Sequence, residues 1–369
     1  MKKYDIAAYV WPAYGFGDKR SRLFWEQGMG EWQSVMSAGH KFEGDRWPRM
    51  PLWGYINEAD PYVMAMEIKA ASDHGINVFA FDWYWYDDRP FLEDCLNKGF
   101  LKAKNNDKMK FYIMWANHDA GYLWDKRISD SCMDTAVLWR GACSKESFLK
   151  AADRLINKYL LHPLYYRIDG KPVISIYDLG NLINGLGGVE DTVWALSRFR
   201  EEAGKRGISD IHFQLIDIPC CDICLDGKSK AVTPELLARL GIRSATNYQF
   251  VHIADANRDY EAVVKDVQKY WAEAEQKLGV RYYPHVSAGW NNNPRFQKLR
   301  DWNIYNSTPD KWKQALIVAK AFADERGLNL ITVNSWNEWT ESSYLMPDNI
   351  WGYQYLEAVK DVFLQGGEE

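Results

Sequence analysis

The chain has 369 residues, of which 47% are hydrophobic and 26% charged, and its formal net charge is −5. That length exceeds the roughly 250 residues of a typical large barrel domain only by what long loops add, so one catalytic domain over residues 1–369 is expected. The acidic balance without a Lys/Arg-rich run argues against nucleic acid, and no apolar run approaches the roughly 18 residues of a membrane helix, so membrane insertion is not expected.

The start, Met1-Lys-Lys-Tyr-Asp-Ile6, moves directly into strand-like sequence with no apolar signal core or small-residue cleavage site, and localisation stays open. A first strand is expected over Tyr4–Trp11, followed by an insertion from Gly15 to Pro51 rich in Trp, Gly and charge. Asp60-Pro61 opens a helix through Ala71 to Gly75. Asn77–Trp85 and Lys110–Asn117 read as the second and third strands, and a second insertion covers Asn117 to Ser144. A helix over Lys145–Leu161 stops before His162-Pro163. Strand Pro172–Asp178 follows, then helix Asp191–Ala203, which ends at Gly204. His212–Ile218 and Ser244–Phe250 are the fifth and sixth strands, and helix Tyr260–Leu278 ends at Gly279. Strand Tyr282–Trp290 leads into a third insertion, Asn291 to Asn306. Thr308-Pro309 opens a helix to Arg326-Gly327, and Leu330–Trp339 is the eighth strand. Near-continuously apolar strands alternating with helices predict a parallel sheet closed into a (β/α)8 barrel. The three insertions then sit at the C-terminal ends of strands, where long loops wall a catalytic cleft.

The eighth strand carries the sharpest chemical signal. Leu330–Glu341 reads LITVNSWNEWTE, a β-branched run that ends in Asn337, Glu338 and Glu341 with Trp336 and Trp339 beside them. Cleaving a glycosidic bond takes one carboxyl that protonates the leaving oxygen and a second that stabilises or generates the electrophile. Indole faces suit pyranose rings and lower the local polarity enough to keep one carboxyl protonated near neutral pH. A solvated acidic turn closing a strand is the plain alternative. The other strand ends bring Tyr9, Trp11, Asp82, Trp83, Trp115, Asn117, His118, Tyr177, Tyr248, Trp290 and Asn291 to the same face, with Asp178, Asp217 and Asn247 nearby. Carboxylates, amides and aromatic rings together are what sugar hydroxyls and C–H faces require. The 18 Trp, 22 Tyr and 15 Phe exceed what a core alone needs. Asp82 reads equally as a ligand contact or a turn cap, Tyr177 and Tyr248 have barrel packing as their rival role, and His252 and His285 read as structural histidines.

Metal chemistry finds little support. Cys220-Cys221-Asp-Ile-Cys224 contains one CxxC without a second, and the His residues are scattered with no HxH or HExxH, so no metal and no cofactor are expected.

Five segments resemble a known family when taken together: Ser335–Glu341 (SWNEWTE), Gly170–Asp178 (GKPVISIYD), Phe81–Trp85 (FDWYW), Trp115–Asn117 (WAN) and Pro284–Arg295 (PHVSAGWNNNPR). They are similar to motifs of glycoside hydrolase family 99, the endo-α-mannosidase and endo-mannanase group, and of related WbsX-like domains from polysaccharide loci. The resemblance implies a (β/α)8 enzyme that acts on α-mannosides with retention of configuration. Glu338 would be the base on the sugar's own 2-hydroxyl, giving a 1,2-anhydro intermediate, and Glu341 would be the acid/base, with Tyr177 and Tyr248 near the reacting sugar. Thr340 and Ser342 stand where the family signature carries His and Gly, and Asn292 also departs, which implies a different loop path and altered specificity. The expected activity is a retaining glycoside hydrolase, endo-acting, on an α-linked mannose-type oligo- or polysaccharide. The WbsX-like label has also been attached to glycosyltransferases, and the lack of a DxD motif or Gly-rich nucleotide loop favours hydrolysis. A glycosyltransferase and a non-hydrolytic glycan-binding protein are the alternatives.

Overall fold

The structure, a computed structural model, describes residues 4–132, 136–219, 223–225 and 228–364. Nine parallel strands make the central sheet: β1 (Asp5–Val10), β2 (Val78–Tyr86), β3 (Lys110–Trp115), β4 (Lys171–Ile176), β5 (His212–Ile216), β6 (Ile242–Thr246), β7 (Arg281–Tyr282), β8 (His285–Ser287) and β9 (Leu330–Asn334). Their order is β7-β6-β5-β4-β3-β2-β1-β9-β8. The two ends of that order are halves of one run, Arg281–Ser287. Its Tyr283 N–H donates to Ala245 O at 2.9 Å on the β6 side, and its Pro284 O accepts from Thr332 N–H at 3.1 Å on the β9 side. The curled sheet is thereby the expected (β/α)8 barrel, joined through a strand broken at a proline that has no N–H to give.

All nine residues of β2 are buried, because the barrel interior covers one face of each strand and the helices cover the other. The expected helices are present as α1 (Pro61–Asp73), α2 (Lys145–Leu155), α4 (Val189–Gly204), α6 (Tyr260–Leu278) and α7 (Pro309–Glu325), with α2 running on into a π-turn at Ile156–Leu160. Their starts follow local chemistry: the Asp60 carboxylate accepts from the N–H groups of Tyr62 and Val63, and Thr308 caps the Lys311 N–H. Three helices that periodicity does not reveal complete the outer layer: α3 (Leu179–Leu186), α5 (Pro234–Leu240) and α8 (Gln354–Phe363). Each is too short to show many helical repeats. Between β2 and β3 a π-turn (Cys95–Gly99) and a 3-10 turn (Phe100–Lys102) replace a regular helix.

The seventh expected strand, Tyr282–Trp290, is shorter than predicted, since Trp290–Asn291 leaves the barrel to pair with Asn303–Tyr305. The three insertions lock onto one another. Ser129 Oγ donates to Arg295 O at 2.7 Å, and Lys41 Nζ donates to Asn293 O at 2.6 Å. No helix among the described residues is long and apolar enough to cross a membrane.

Candidate active site

Beyond β9 the chain forms a tight hairpin in which Asn337-Glu338 pairs with Ser343-Tyr344 around a 3-10 turn, Trp339–Glu341. Glu338 enters that turn and Glu341 ends it. In 3-10 geometry residues i and i+3 eclipse, so the spacing puts both carboxyls on one side of the turn. Ser342 leaves it at φ +55°, the left-handed conformation that glycine adopts most easily. Its hydroxyl donates to Asn291 O and accepts from Trp47 Nε1, both at 3.0 Å. The turn is therefore built here with serine in place of the glycine of the family signature.

Arg295 ties the acids together. Its Nη1 donates to Glu341 Oε1 at 2.6 Å, Nη2 to Glu338 Oε2 at 3.1 Å and Nε to Glu31 Oε1 at 3.2 Å. All four side chains are buried. Glu31, from the first insertion, also accepts from Trp11 Nε1 at 2.6 Å and Tyr14 Oη at 3.3 Å. A second arm runs through Tyr248, whose hydroxyl lies 2.9 Å from both Asp82 Oδ2 and Glu338 Oε1. One hydroxyl hydrogen serves one acceptor, so a carboxyl proton must fill the other contact. Either Asp82 or Glu338 is neutral in this arrangement. The electrostatics agree. Burial drives both carboxyls well above the usual range; the Glu341 charge adds to the rise of Glu338, and Arg295 opposes it. Burial also raises Glu341, against the pull of Arg295.

Glu341 opens onto a cleft of about 510 Å³, lined also by Tyr177, Tyr248, His252, Trp290 and Arg295. Its Oε2 is buried and makes no hydrogen bond within the described residues. The Gln249 amide gives one hydrogen to Asn334 Oδ1 at 3.1 Å and has a second near enough to stabilise the Glu341 charge. Burial lowers His252 to about 4, so its ring is neutral, and it stacks on Tyr248. A carboxyl with a free oxygen, next to a second carboxyl held by a cation and a phenol, is an arrangement that can pass a proton to and from a ligand in the cleft.

Of the residues expected at the site, the structure brings together Glu338, Glu341, Asp82, Tyr177, Tyr248 and Trp290, and sets the His118 ring against Tyr177. Tyr9 sits beneath Tyr248 with ring centroids 4.8 Å apart. The Trp11 indole is tied to the site through Glu31. Asn337 accepts from the Trp11 N–H and donates to Trp11 O and to Glu58, which fastens the hairpin to β1. Trp336 and Trp339 are corrected from sugar platforms to packing residues. Both are fully buried; Trp336 Nε1 donates to Glu67 at 2.8 Å, and Trp339 stacks on Tyr344 at 3.8 Å. Trp83 and Trp115 are likewise outside the cleft, because strand alternation that turns Asp82 inward turns Trp83 outward. Trp83 Nε1 donates to Glu93, and Trp115 stacks on Phe148 of α2. Asn117 holds the N–H and C=O of Asp178, and Asn291 accepts from Asn293. Sequence reasoning passed over Arg295, Glu31 and His252 as site residues. Arg295 stood in a quoted motif, whereas Glu31 carries no local signal. Cys220 and Cys221 lie outside the described residues, as does the side chain of Cys224.

Comparison with known proteins adds an independent line. A family model described as Glycosyltransferase WbsX matches residues 6–359. Two curated relatives from strains of Xanthomonas campestris pv. campestris, both described as uncharacterized protein WxcX, are 26% identical over 353 residues, 91% of this chain and 46% of theirs. The chain thus spans about half the length of the curated relatives it matches. Among solved structures, the GH99 endo-alpha-mannosidase from Bacteroides thetaiotaomicron is 13% identical with a TM-score of 0.59, over 98% of this chain and 96% of that one. A glycoside hydrolase-like protein is 16% identical, also at 0.59, over 98% and 94%. The fold is one that glycoside hydrolases use.

Proposed function

We propose, from the premise that this chain belongs to the WbsX glycosyltransferase family, that it is a glycan-active enzyme which cleaves an α-linked, mannose-type oligo- or polysaccharide at internal linkages with retention of configuration. The observation that carries the reading is the pairing of two buried carboxyls through Arg295, with Glu341 at the wall of the cleft and its Oε2 buried there. The roles follow from the partners. Arg295 holds one Glu338 oxygen and Tyr248 meets the other. With Asp82 as the neutral member of the pair that Tyr248 bridges, Glu338 is the carboxylate that takes the proton of the substrate's 2-hydroxyl, and the upward push of burial makes it the stronger base. The 2-hydroxyl oxygen then closes on C1 as the C1–O bond to the leaving group breaks, giving a 1,2-anhydro sugar. Glu341 gives its proton to the leaving oxygen, then takes one from the water that attacks C1, and as the C1–O2 bond of the anhydro ring breaks, Glu338 returns its proton to O2. Tyr177, Tyr248 and Trp290 line the space where the sugar would sit, and His118 backs Tyr177.

A second reading rests on the family description. If a sugar hydroxyl replaces water at the second step, the same residues carry out transfer between glycans, with no nucleotide-sugar required. The test is product analysis on a panel of α-mannans and bacterial polysaccharides, with NMR detection of the first-formed anomer. Retained product sugars support hydrolysis and longer glycans support transfer. Consumption of a nucleotide-sugar donor, or glycan binding with no product from any member, would overturn the reading.

A further inference from the structure

The cleft holds two arginines in opposite situations. Arg295 meets a carboxylate at each of its three nitrogens, with Nε at Glu31, Nη2 at Glu338 and Nη1 at Glu341. Arg300, from the third insertion, lines the same cleft and meets a single carboxylate, Asp130 Oδ1, through Nη2 at 3.4 Å. Its Nε is buried and has no partner among the described residues. The side chain is nevertheless prearranged. The Arg300 N–H donates to Asn293 Oδ1 at 2.7 Å, its C=O accepts from Asn293 Nδ2 at 2.9 Å and Asn303 Nδ2 at 3.2 Å, and the guanidinium lies 4.7 Å from the centroid of the Phe296 ring. An arginine whose backbone and stem are fixed loses little entropy when its fork takes up an anion.

Other unpartnered polar atoms belong to residues of the same cleft. Trp290 Nε1, Asn292 Oδ1 and His252 Nδ1 are all buried without hydrogen bonds in the described residues. Trp302 stands across the Trp290 ring at 5.0 Å, edge to face, and is 44% exposed. Unpaired buried polar atoms also occur elsewhere in the barrel, as at Tyr112 Oη and Trp271 Nε1, so what marks this cleft is their presence beside a half-exposed arginine and an exposed indole. Asp301 also lines the cleft, but its carboxylate accepts from Tyr305 Oη at 3.2 Å.

We propose that Arg300, with Trp290, Trp302 and Asn292, forms a subsite for an acidic sugar, so that the glycan this protein acts on carries a carboxylate, as a uronic acid does. The inference deepens the glycan reading above and rests on it. The carboxylate pairs with the exposed end of the Arg300 guanidinium, the sugar face lies on the exposed indole of Trp302, and Trp290 and Asn292 form the wall behind it. Arg295 cannot play this part, because an anion there would have to displace a catalytic carboxyl.

The test uses α-linked oligosaccharides that each contain one uronic acid, beside the same compounds after carboxyl reduction. Binding to the full chain carrying Glu341→Gln is measured by calorimetry. The acidic forms are expected to bind about tenfold tighter than their reduced counterparts, the gain of one charge-assisted hydrogen-bonded contact. Arg300→Gln should abolish that preference, bringing acidic and reduced forms to equal affinity, and Arg300→Lys should keep part of it. Equal binding of acidic and reduced forms, a preference that survives Arg300→Gln, or no saturable binding by any acidic compound would overturn the subsite. Turnover of neutral α-glycans by the unmodified chain is read separately, so loss of the subsite leaves the catalytic reading standing, whereas inactivity on every glycan removes the catalytic reading itself.

Discussion

Replacing Arg295 with Met removes the cation bonded to Glu31, Glu338 and Glu341 while keeping a side chain of similar length. Taking one partner from a buried ion pair costs about 3–5 kcal/mol, because the charge left behind stays desolvated. Here three carboxylates lie 2.6–3.2 Å from a guanidinium only 6% exposed, which places the loss toward the upper end. The acids can escape by taking up protons. Burial already lifts Glu338 and Glu341 above the usual range, and Arg295 is what pulls them back, so both rise further in the variant. A carboxyl whose folded pKa lies above its unfolded value leaves folding unopposed below the unfolded pKa, near 4, and opposes it increasingly as pH climbs toward the folded value. The stability difference between Arg295→Met and the unmodified chain is therefore expected to be small near pH 4 and to reach about 3–5 kcal/mol by pH 8. Urea unfolding followed by tryptophan fluorescence across that range measures it. A difference that does not change with pH, or one under about 1 kcal/mol at pH 8, would refute the view that this guanidinium neutralises the acids.

Glu338→Gln and Glu341→Gln should each lower kcat by a factor of about 10² or more on an accepted glycan, with an unchanged far-ultraviolet circular dichroism spectrum. Tyr248→Phe takes away a donor that stabilises the Glu338 carboxylate, so the limb of the pH–rate profile that reports ionisation of this acid should move to higher pH; an unmoved profile counts against the hydrogen bond. Asn337→Ala leaves the Trp11 N–H and C=O and the Glu58 carboxyl without the amide that joins them, at a cost of about 1–3 kcal/mol, read as a lowered melting temperature. Trp302→Ala, exposed at the cleft, should weaken glycan binding and leave the melting temperature unmoved, which separates a ligand platform from a core residue.

The eight-fold alternation, most strand positions and the carboxyl pair were legible because each is a local matter. Apolar β-branched runs announce buried parallel strands, Asp60-Pro61 and Thr308-Pro309 announce helix starts, and Glu338 and Glu341 stand three residues apart in one short motif. The errors fall where a side chain's direction depends on something distant. Trp336 and Trp339 stand beside the acids in sequence, yet the hairpin turns both rings into the core. Trp83 follows Asp82 directly, and strand alternation sends the two to opposite faces.

What the sequence by itself determined is the barrel and the closeness of Glu338 and Glu341 at the end of its last strand, since periodicity, caps and a spacing of three act over a few residues. What only the tertiary structure decided is the company those acids keep. Arg295 and Glu31 are 264 positions apart, and Tyr248 and Asp82 are 166 apart. No local rule encodes such meetings. They arise when closing the barrel brings the ends of different strands and loops to one point, and burial there makes each surviving charge depend on its neighbours.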